Sequence, residues 1–248
     1  MPVTELDGAR IYGSSGQRAA RLIHFIKARF QSHERAHINR LARFITGKGV
    51  IIDAGAQFGY FTKEFARLNN PGRQVYAFEP LPYNFEILRR VTSRLQNAAI
   101  YSKALADSDG TADLLVPVKA QGKIGPGLAH FGEEQRRDYI RHRVETITLD
   151  NFVRQSGITD VAFIKIDVEG AELLVLRGAR EVLAKSGPAV YLELNSAFTE
   201  RLGYHPADLL AMLSGCGYQS FLVEDRGSRI SRVGEYTVPG DYLFLRGA

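Results

Sequence analysis

The sequence predicts an α/β fold, an open and mostly parallel sheet with helices laid against it, and three observations predict it. A strand, a tight turn and a helix start follow one another over residues 50–62; a second apolar strand ends on an acid at Glu79; acids recur at the carboxyl ends of later strands, at Asp167 and Glu193. With 248 residues, 45% of them hydrophobic, and a mean hydropathy of -0.15, the chain suits one soluble domain with embellishments.

The first element is the apolar run Val50, Ile51, Ile52, which ends at Asp53 and is followed by Gly55 and Gly59 and then by an amphipathic run over residues 61–68. Glycine lets a backbone approach a ligand where a Cβ would intrude, and a helix beginning directly after the turn leaves N–H groups facing the same crevice. The spacing G-x-x-x-G differs from the dinucleotide fingerprint G-x-G-x-x-G, so the turn alone does not define a site. Residues 74–78 supply the second strand, ending at Glu79 and stopped by Pro80. An acid at the tip of the second strand of a β-α-β unit is placed to accept hydrogen bonds from both hydroxyls of a ribose. Together the two strand ends specify a nucleoside site.

Residues 82–95 follow as a helix, with Phe85, Leu88, Val91 and Leu95 in helical period and Pro82 in its first turn. A third strand is expected over residues 98–104, a turn over 107–110 and a strand over 111–118. Residues 119–143 break pattern, with Gly122, Gly125, Pro126, Gly127 and Gly132 and a helical patch near residues 133–139, and are read as a substrate-binding insertion. Then come a strand over 144–149, a helix over 150–155, a buried strand over 162–167 ending in Asp167, and a helix that starts at Glu169 and Gly170. A strand over 189–194 contains Glu193, and a helix covers 207–215. Strands over 218–223 and 242–245 close the sheet as a hairpin across the loop 224–240.

Before this body, residues 1–48 form a basic helical cap or lid, with one or two amphipathic helices over 18–44 and a flexible joint at Gly13, Ser14, Ser15 and Gly16; the main domain is residues 49–248. The net charge of +5 is uneven: residues 1–48 hold nine Lys/Arg against three Asp/Glu, a net +6, and residues 119–143 a net +3, leaving −4 for the rest. Two basic segments beside a site mouth suggest an acceptor carrying phosphate or carboxylate. No run of 18 apolar residues could span a membrane, and the N-terminus has no secretory pattern, so a cytoplasmic protein is expected. The single cysteine, Cys216, excludes an internal disulfide and reads as a small buried hydrophobe.

Four strand-end carboxylates, Asp53, Glu79, Asp167 and Glu193, would repel one another in one crevice unless a cation or a donor-rich ligand sits among them. Asp167, Glu193 and Asn195 could hold a divalent cation, although no spacing demands one and no metal is assigned. His24, His33, His37 and His130 are alternative bases from the lid and the insertion.

Three segments together resemble a known family: residues 53–62 (Asp-Ala-Gly-Ala-Gln-Phe-Gly-Tyr-Phe-Thr), residues 76–80 (Tyr-Ala-Phe-Glu-Pro), and residues 164–172 (Ile-Lys-Ile-Asp-Val-Glu-Gly-Ala-Glu) with 175–179 (Val-Leu-Arg-Gly-Ala). They resemble the FkbM family of S-adenosylmethionine-dependent methyltransferases, and the likeness runs over residues 50–194. It implies a Rossmann-like, seven-stranded, mostly parallel sheet with helices on both faces and an antiparallel last strand. It also implies that Gly55, Gln57, Gly59 and Tyr60 pass the methionine part of the cofactor, Gln57 standing where the family often has asparagine. Asp53 would help hold the cofactor's amino end, Glu79 the ribose hydroxyls, and Ala104 and Leu105 would lie by the adenine.

A sulfonium already activates its methyl group, so such an enzyme must align an acceptor oxygen and remove its proton. Asp167 is the first candidate for that base or for orienting the acceptor, unless it contacts cofactor or caps the next helix; Glu169 is second, and Glu193 and Asn195 are weaker. The expected reaction is O-methylation of a hydroxyl on a sugar, glycan or natural product. A nucleotide-dependent (NAD) oxidoreductase shares the ribose-binding acid but lacks its fingerprint here. An RNA methyltransferase is suggested by the sequence pI near 9.3, against sparse interleaving of basic with aromatic residues, so no nucleic-acid partner is expected.

Overall fold

The apolar runs assemble into two sheets in the computed structural model of the chain, which describes residues 3–31, 34–68, 72–119, 123–133 and 138–247. Strands follow in the order β1 (Val50–Ala54), β2 (Val75–Phe78), β3 (Ala98–Tyr101), β4 (Ala104–Leu105), β5 (Gly110–Lys119), β6 (Lys123–Ile124) and β7 (Tyr139–Ile147). They continue as β8 (Val161–Ile166), β9 (Ala189–Leu194), β10 (Tyr218–Glu224), β11 (Arg229–Val233) and β12 (Gly240–Arg246). The larger sheet has the order β11-β10-β12-β9-β8-β1-β2-β3. From β3 to β9 every neighbour is parallel, and β12, inserted between β9 and β10, runs antiparallel to both.

The helices are α1 (Gly8–Tyr12), α2 (Ser15–Phe30), α3 (Arg35–Leu41), α4 (Tyr60–Phe65), α5 (Pro82–Thr92), α6 (Leu149–Gln155), α7 (Glu172–Arg177), α8 (Arg180–Lys185), α9 (Ser196–Thr199) and α10 (Pro206–Gly215). They cover both faces of the sheet. On one, Phe152, Leu176, Leu183, Leu209 and Leu213 bury Ile52, Ile164 and Val190; on the other, Ile38, Leu41 and Phe65 bury Ile51, Phe163 and Leu243. Strands buried on both faces read as continuous apolar runs rather than alternations, which is why β1 and β8 are evident from sequence.

Three details differ from the sequence reading. The sheet has eight strands, not seven, because the loop between the closing strands contains β11, whose Arg229 and Arg232 stay exposed on the sheet edge and dilute its apolar signal. The insertion is regular at its ends: β5 and β7 pair as a long antiparallel ribbon from Gly110↔Thr146 to Pro117↔Tyr139 that takes in residues 139–143, β6 pairs with the end of β5, and β4, split from β3, joins them in a four-stranded second sheet. The helical patch near residues 133–139 falls partly on 134–137, outside the described residues, and Tyr139 opens β7. Third, the Gly13–Gly16 joint is a pair of caps. Gly13 closes α1, and the Ser14 side chain accepts from the Gln17 N–H to open α2. Cys216 is half-buried against the core beside α10.

The N-terminal segment is fastened at several points. Leu6 N–H donates to Tyr139 O of β7, and Arg21 of α2 pairs with Glu86 of α5 at 2.7 Å. Lys63, buried on α4, donates to Ala28 O at 2.5 Å and to Gln31 O, filling the carbonyl end of α2. A Lys63→Met substitution leaves those carbonyls without their donor, and we expect a loss of about 2 kcal/mol in urea denaturation. An unchanged midpoint would show the tie to be dispensable.

Candidate active site

The site is built where β1, β2 and β8 end. Register places Asp53 beside Lys165 and Ala54 beside Ile166, and the chain then turns through Gly55 at φ 73°. The turn cannot carry a side chain, since a Cβ on Gly55 would lie 1.8 Å from the Asp167 backbone oxygen. The tips of β1 and β8 therefore touch backbone to backbone, with Asp167 N–H donating to Ala54 O at 3.1 Å. Gly59, at φ 84°, precedes α4 and packs on Leu88.

An open crevice of about 510 Å³, counting its mouth, lies over these tips. Gly55, Gln57, Glu79, Ala104, Leu105, Asp167 and Glu169 line it, so seven of the expected site residues are brought together. The β5–β7 ribbon and its turn close the far wall through Leu114, Pro126, Ala129 and Phe131. Asp53, Gly59 and Tyr60 lie outside the lining. Asp53 is fully buried beneath the turn, accepting from Thr62 Oγ1 at 2.6 Å and standing 3.4 Å from Lys165 Nζ.

Glu79 is held by its neighbours. Oε2 accepts from the Gln57 N–H at 2.8 Å, and Oε1 accepts from the Leu81 N–H at 2.9 Å and from Asn84 Nδ2 at 3.3 Å. Gln57 sits at φ 48°, a left-handed conformation that aims its N–H at the acid. Burial pushes Glu79 up to about 7, against the opposing pull of those donors and of Lys165. Asn84 Nδ2 also donates to Pro126 O at 3.1 Å, tying the ribbon turn to the β2 tip, and its Oδ1 is buried with no hydrogen-bond partner. Both atoms that Nδ2 meets are acceptors, which fixes the amide orientation and leaves Oδ1 as an acceptor in the crevice wall.

A smaller concavity adjoins the crevice, lined by Asp167, Glu169, Gly170, Glu172, Glu193, Asn195 and Phe198. Asp167 and Glu169 belong to both and form the common wall. Lys165, buried in β8, donates to Gly55 O at 2.8 Å and lies 3.4 Å from Asp167 Oδ2. Burial opposes its ammonium, but Asp167 and Asp53 outweigh that and hold it above the ordinary lysine range. Glu169, at φ 54°, is pushed up to about 8 by burial and then by Asp167, Glu193 and Glu172. Glu193 stands at the rim with surface open to solvent, yet the walls around it and then Asp167 and Asp241 push it up to about 7. Glu172 Oε1 accepts from the Gly170 N–H at 3.0 Å, and Tyr204 O–H donates to Gly170 O at 2.7 Å, so the turn after β8 is fastened from two sides.

Among the described residues no group of three or more His, Cys, Asp or Glu side chains is placed to hold a metal ion. None of the described histidines lines either concavity. His24 stacks on Phe58 and shares a 3.0 Å hydrogen bond with the Tyr83 hydroxyl, His37 is buried against Phe61 and Tyr191, and His130 bonds Phe131 O at 2.8 Å. His33 lies outside the described residues. Sequence reasoning assigns no role to Lys165, Asn84, Glu172 or Tyr204. Lys165 carries a signal, a lone charge in a strand otherwise wholly apolar. Tyr204 carries none, because its partners lie over thirty residues earlier in the chain.

Strand ends that gather buried carboxylates and a glycine turn over a mostly parallel sheet define a Rossmann-like α/β fold. The family model "Methyltransferase FkbM domain" matches residues 53–220, and the chain belongs to that family. It is 28% identical over 149 residues to "2-O-methyltransferase NoeI" of Sinorhizobium fredii, covering 55% of this chain and 60% of that protein. It is 29% identical over 163 residues to "31-O-demethyl-FK506 methyltransferase FkbM" of Streptomyces tacrolimicus, covering 53% and 60%. The chain thus spans about 60% of the length of these curated relatives. Among solved structures, cofactor-bound Rv0187 from MTB superposes with TM-score 0.51 at 13% identity, covering 96% of this chain and 92% of that one. A putative O-methyltransferase from Klebsiella pneumoniae gives TM-score 0.50 at 12% identity, covering 93% and 89%. These two likenesses bear on the fold.

Proposed function

We propose that the chain is an S-adenosylmethionine-dependent O-methyltransferase acting on a hydroxyl of a sugar, glycan or natural-product acceptor. The observation that carries this reading is the pair of buried acceptors in the crevice wall: the Glu79 carboxylate, raised by burial, and the partnerless Asn84 Oδ1. Both want hydroxyl donors, which is what a ribose offers. The residues therefore fit the cofactor. When bound it supplies a methyl group already activated by its sulfonium.

The chain's own residues would do the rest. Asp167, ion-paired with Lys165, orients the acceptor from the common wall. Glu169, raised to about 8, suits removal of a hydroxyl proton near neutral pH, with Glu193 beside it. The relatives support the acceptor class: one is named a 2-O-methyltransferase and another a 31-O-demethyl-FK506 methyltransferase. Among the described residues no Lys or Arg lines either concavity, so a phosphate or carboxylate met by the described basic residues would sit away from the reacting atom. Among the described residues no helix is long and apolar enough to cross a membrane, and a cytoplasmic location is part of this reading.

Titration calorimetry tests the proposal. We expect S-adenosylmethionine and S-adenosylhomocysteine each to bind one per chain and NADH not to bind. Heats absent for both sulfur compounds at high micromolar concentration would overturn it, and saturable NADH binding would revive the oxidoreductase.

A further inference from the structure

Helix α2 is apolar on two sides. Its inner side packs Phe25 and Ala28 against Tyr83 and Ile87 of α5. Its outer side carries Leu22, Ile23, Ile26 and Phe30, which are 57%, 51%, 46% and 76% exposed. Four of the five large hydrophobic side chains exposed among the described residues are therefore on this one helix. Leu22, Ile26 and Phe30 follow at intervals of four, and Ile23 lies beside them, so at about 100° per residue they form one stripe about a quarter of the circumference wide. The same geometry puts Arg18 along one border of the stripe and Lys27 along the other, both exposed.

The charge of the helix is one-signed. It holds Arg18, Arg21, Lys27 and Arg29 and neither Asp nor Glu, within a segment of net charge +6. A second copy seated on this stripe would bring two such segments together, which Coulomb repulsion opposes. An apolar stripe bordered by basic residues, on a helix with no acid, matches a surface that offers apolar depth beneath negative charge. We propose that the outer face of α2 docks on an anionic lipid bilayer, with Leu22, Ile23, Ile26 and Phe30 entering the headgroup boundary and Arg18 and Lys27 meeting lipid phosphates. The helix lies in the plane of the surface and does not span it.

Flotation of the full chain with vesicles tests this independently of any methyl transfer. Vesicles of phosphatidylcholine with phosphatidylglycerol are compared with vesicles of phosphatidylcholine alone. We expect the protein to float with the anionic vesicles, to stay behind with the neutral ones, and to be released as salt rises toward about 0.5 M, where screening shortens to a few ångströms. Ile26→Glu with Phe30→Glu should lower the bound fraction at least about tenfold. Both side chains are exposed, so the circular-dichroism melt of the double variant should match that of the parent. Arg18→Gln with Lys27→Gln should weaken binding and flatten its salt dependence. No flotation with anionic vesicles overturns the proposal, as does binding that the apolar variants leave intact. Equal binding to neutral vesicles overturns it too. Sedimentation velocity without lipid gives the last outcome: a dimer that these variants convert to monomer, with no flotation, would assign the stripe to a second copy instead.

Discussion

Gly55→Ala is expected to cost about 4 kcal/mol of stability and to abolish measurable binding of S-adenosylhomocysteine. Two effects add. The residue sits at φ 73°, which any side chain disfavours, and the new Cβ would fall 1.8 Å from Asp167 O. That oxygen belongs to the backbone of a strand end buried between two helical layers, so it cannot swing aside as a side chain would. Relief requires the β1 and β8 tips to part, which would move Gly55, Asp167 and Glu169 together. Gly217→Ala separates the contributions, because Gly217 has φ 82° and a Cβ added there would meet nothing within 4 Å. Conformation alone should cost about 1 kcal/mol there. Urea denaturation of both variants, with calorimetry on the first, checks the prediction. Equal losses would mean that the contact between the strand tips carries no weight.

Glu79→Gln is expected to weaken S-adenosylhomocysteine binding about a hundredfold, since a charged acceptor is replaced by an amide that has one acceptor and presents donors where donors already stand. The parent should also show a pH dependence that the variant lacks. With the acid raised to about 7 in the free protein, a ligand that donates hydroxyls to the carboxylate must first displace its proton below that pH. Affinity should therefore fall by up to about tenfold per unit as the pH drops below about 7, and level off above it. For the stability of the free protein the sign is the opposite. Folded and unfolded states are both protonated well below the ordinary glutamate value of 4.5, so the acid costs nothing there; stability then declines as the pH rises toward about 7 and is flat beyond. Calorimetry across this range in two buffers of different ionisation enthalpy reads both the affinity and the proton released. A flat profile for the parent would remove Glu79 from the binding site.

The legible part of this site is local. An apolar run ending in an acid can be read without knowing what lies beside it, and Asp53, Glu79 and Asp167 each announce a strand end in that way. Burial then sorts them differently: Glu79 and Asp167 face the crevice, whereas Asp53 serves Lys165 and Thr62 beneath it. The ribbon is illegible where glycines and a proline interrupt its turn, although Ile140, Val144 and Thr146 alternate inward along β7 in the period of a strand. Contacts between distant segments leave no trace in local pattern. Asn84 reaching Pro126, and Tyr204 reaching Gly170, depend on how the ribbon and the segment after α9 fold back over the strand ends.

The wall shared by the two concavities has an evolutionary consequence. One side draws on β1, β2 and the ribbon, the other on α7, β9 and α9, and only the short stretch Asp167–Glu169 is common property. Under the proposed function, residues such as Asn195 and Phe198 can thus drift, or be exchanged for those of another lineage, while the opposite half stays unaltered. With the donor in the crevice and the recipient in the smaller concavity, as the proposed function has it, a chemistry constant in its donor and plastic in its recipient is what such a divided architecture permits.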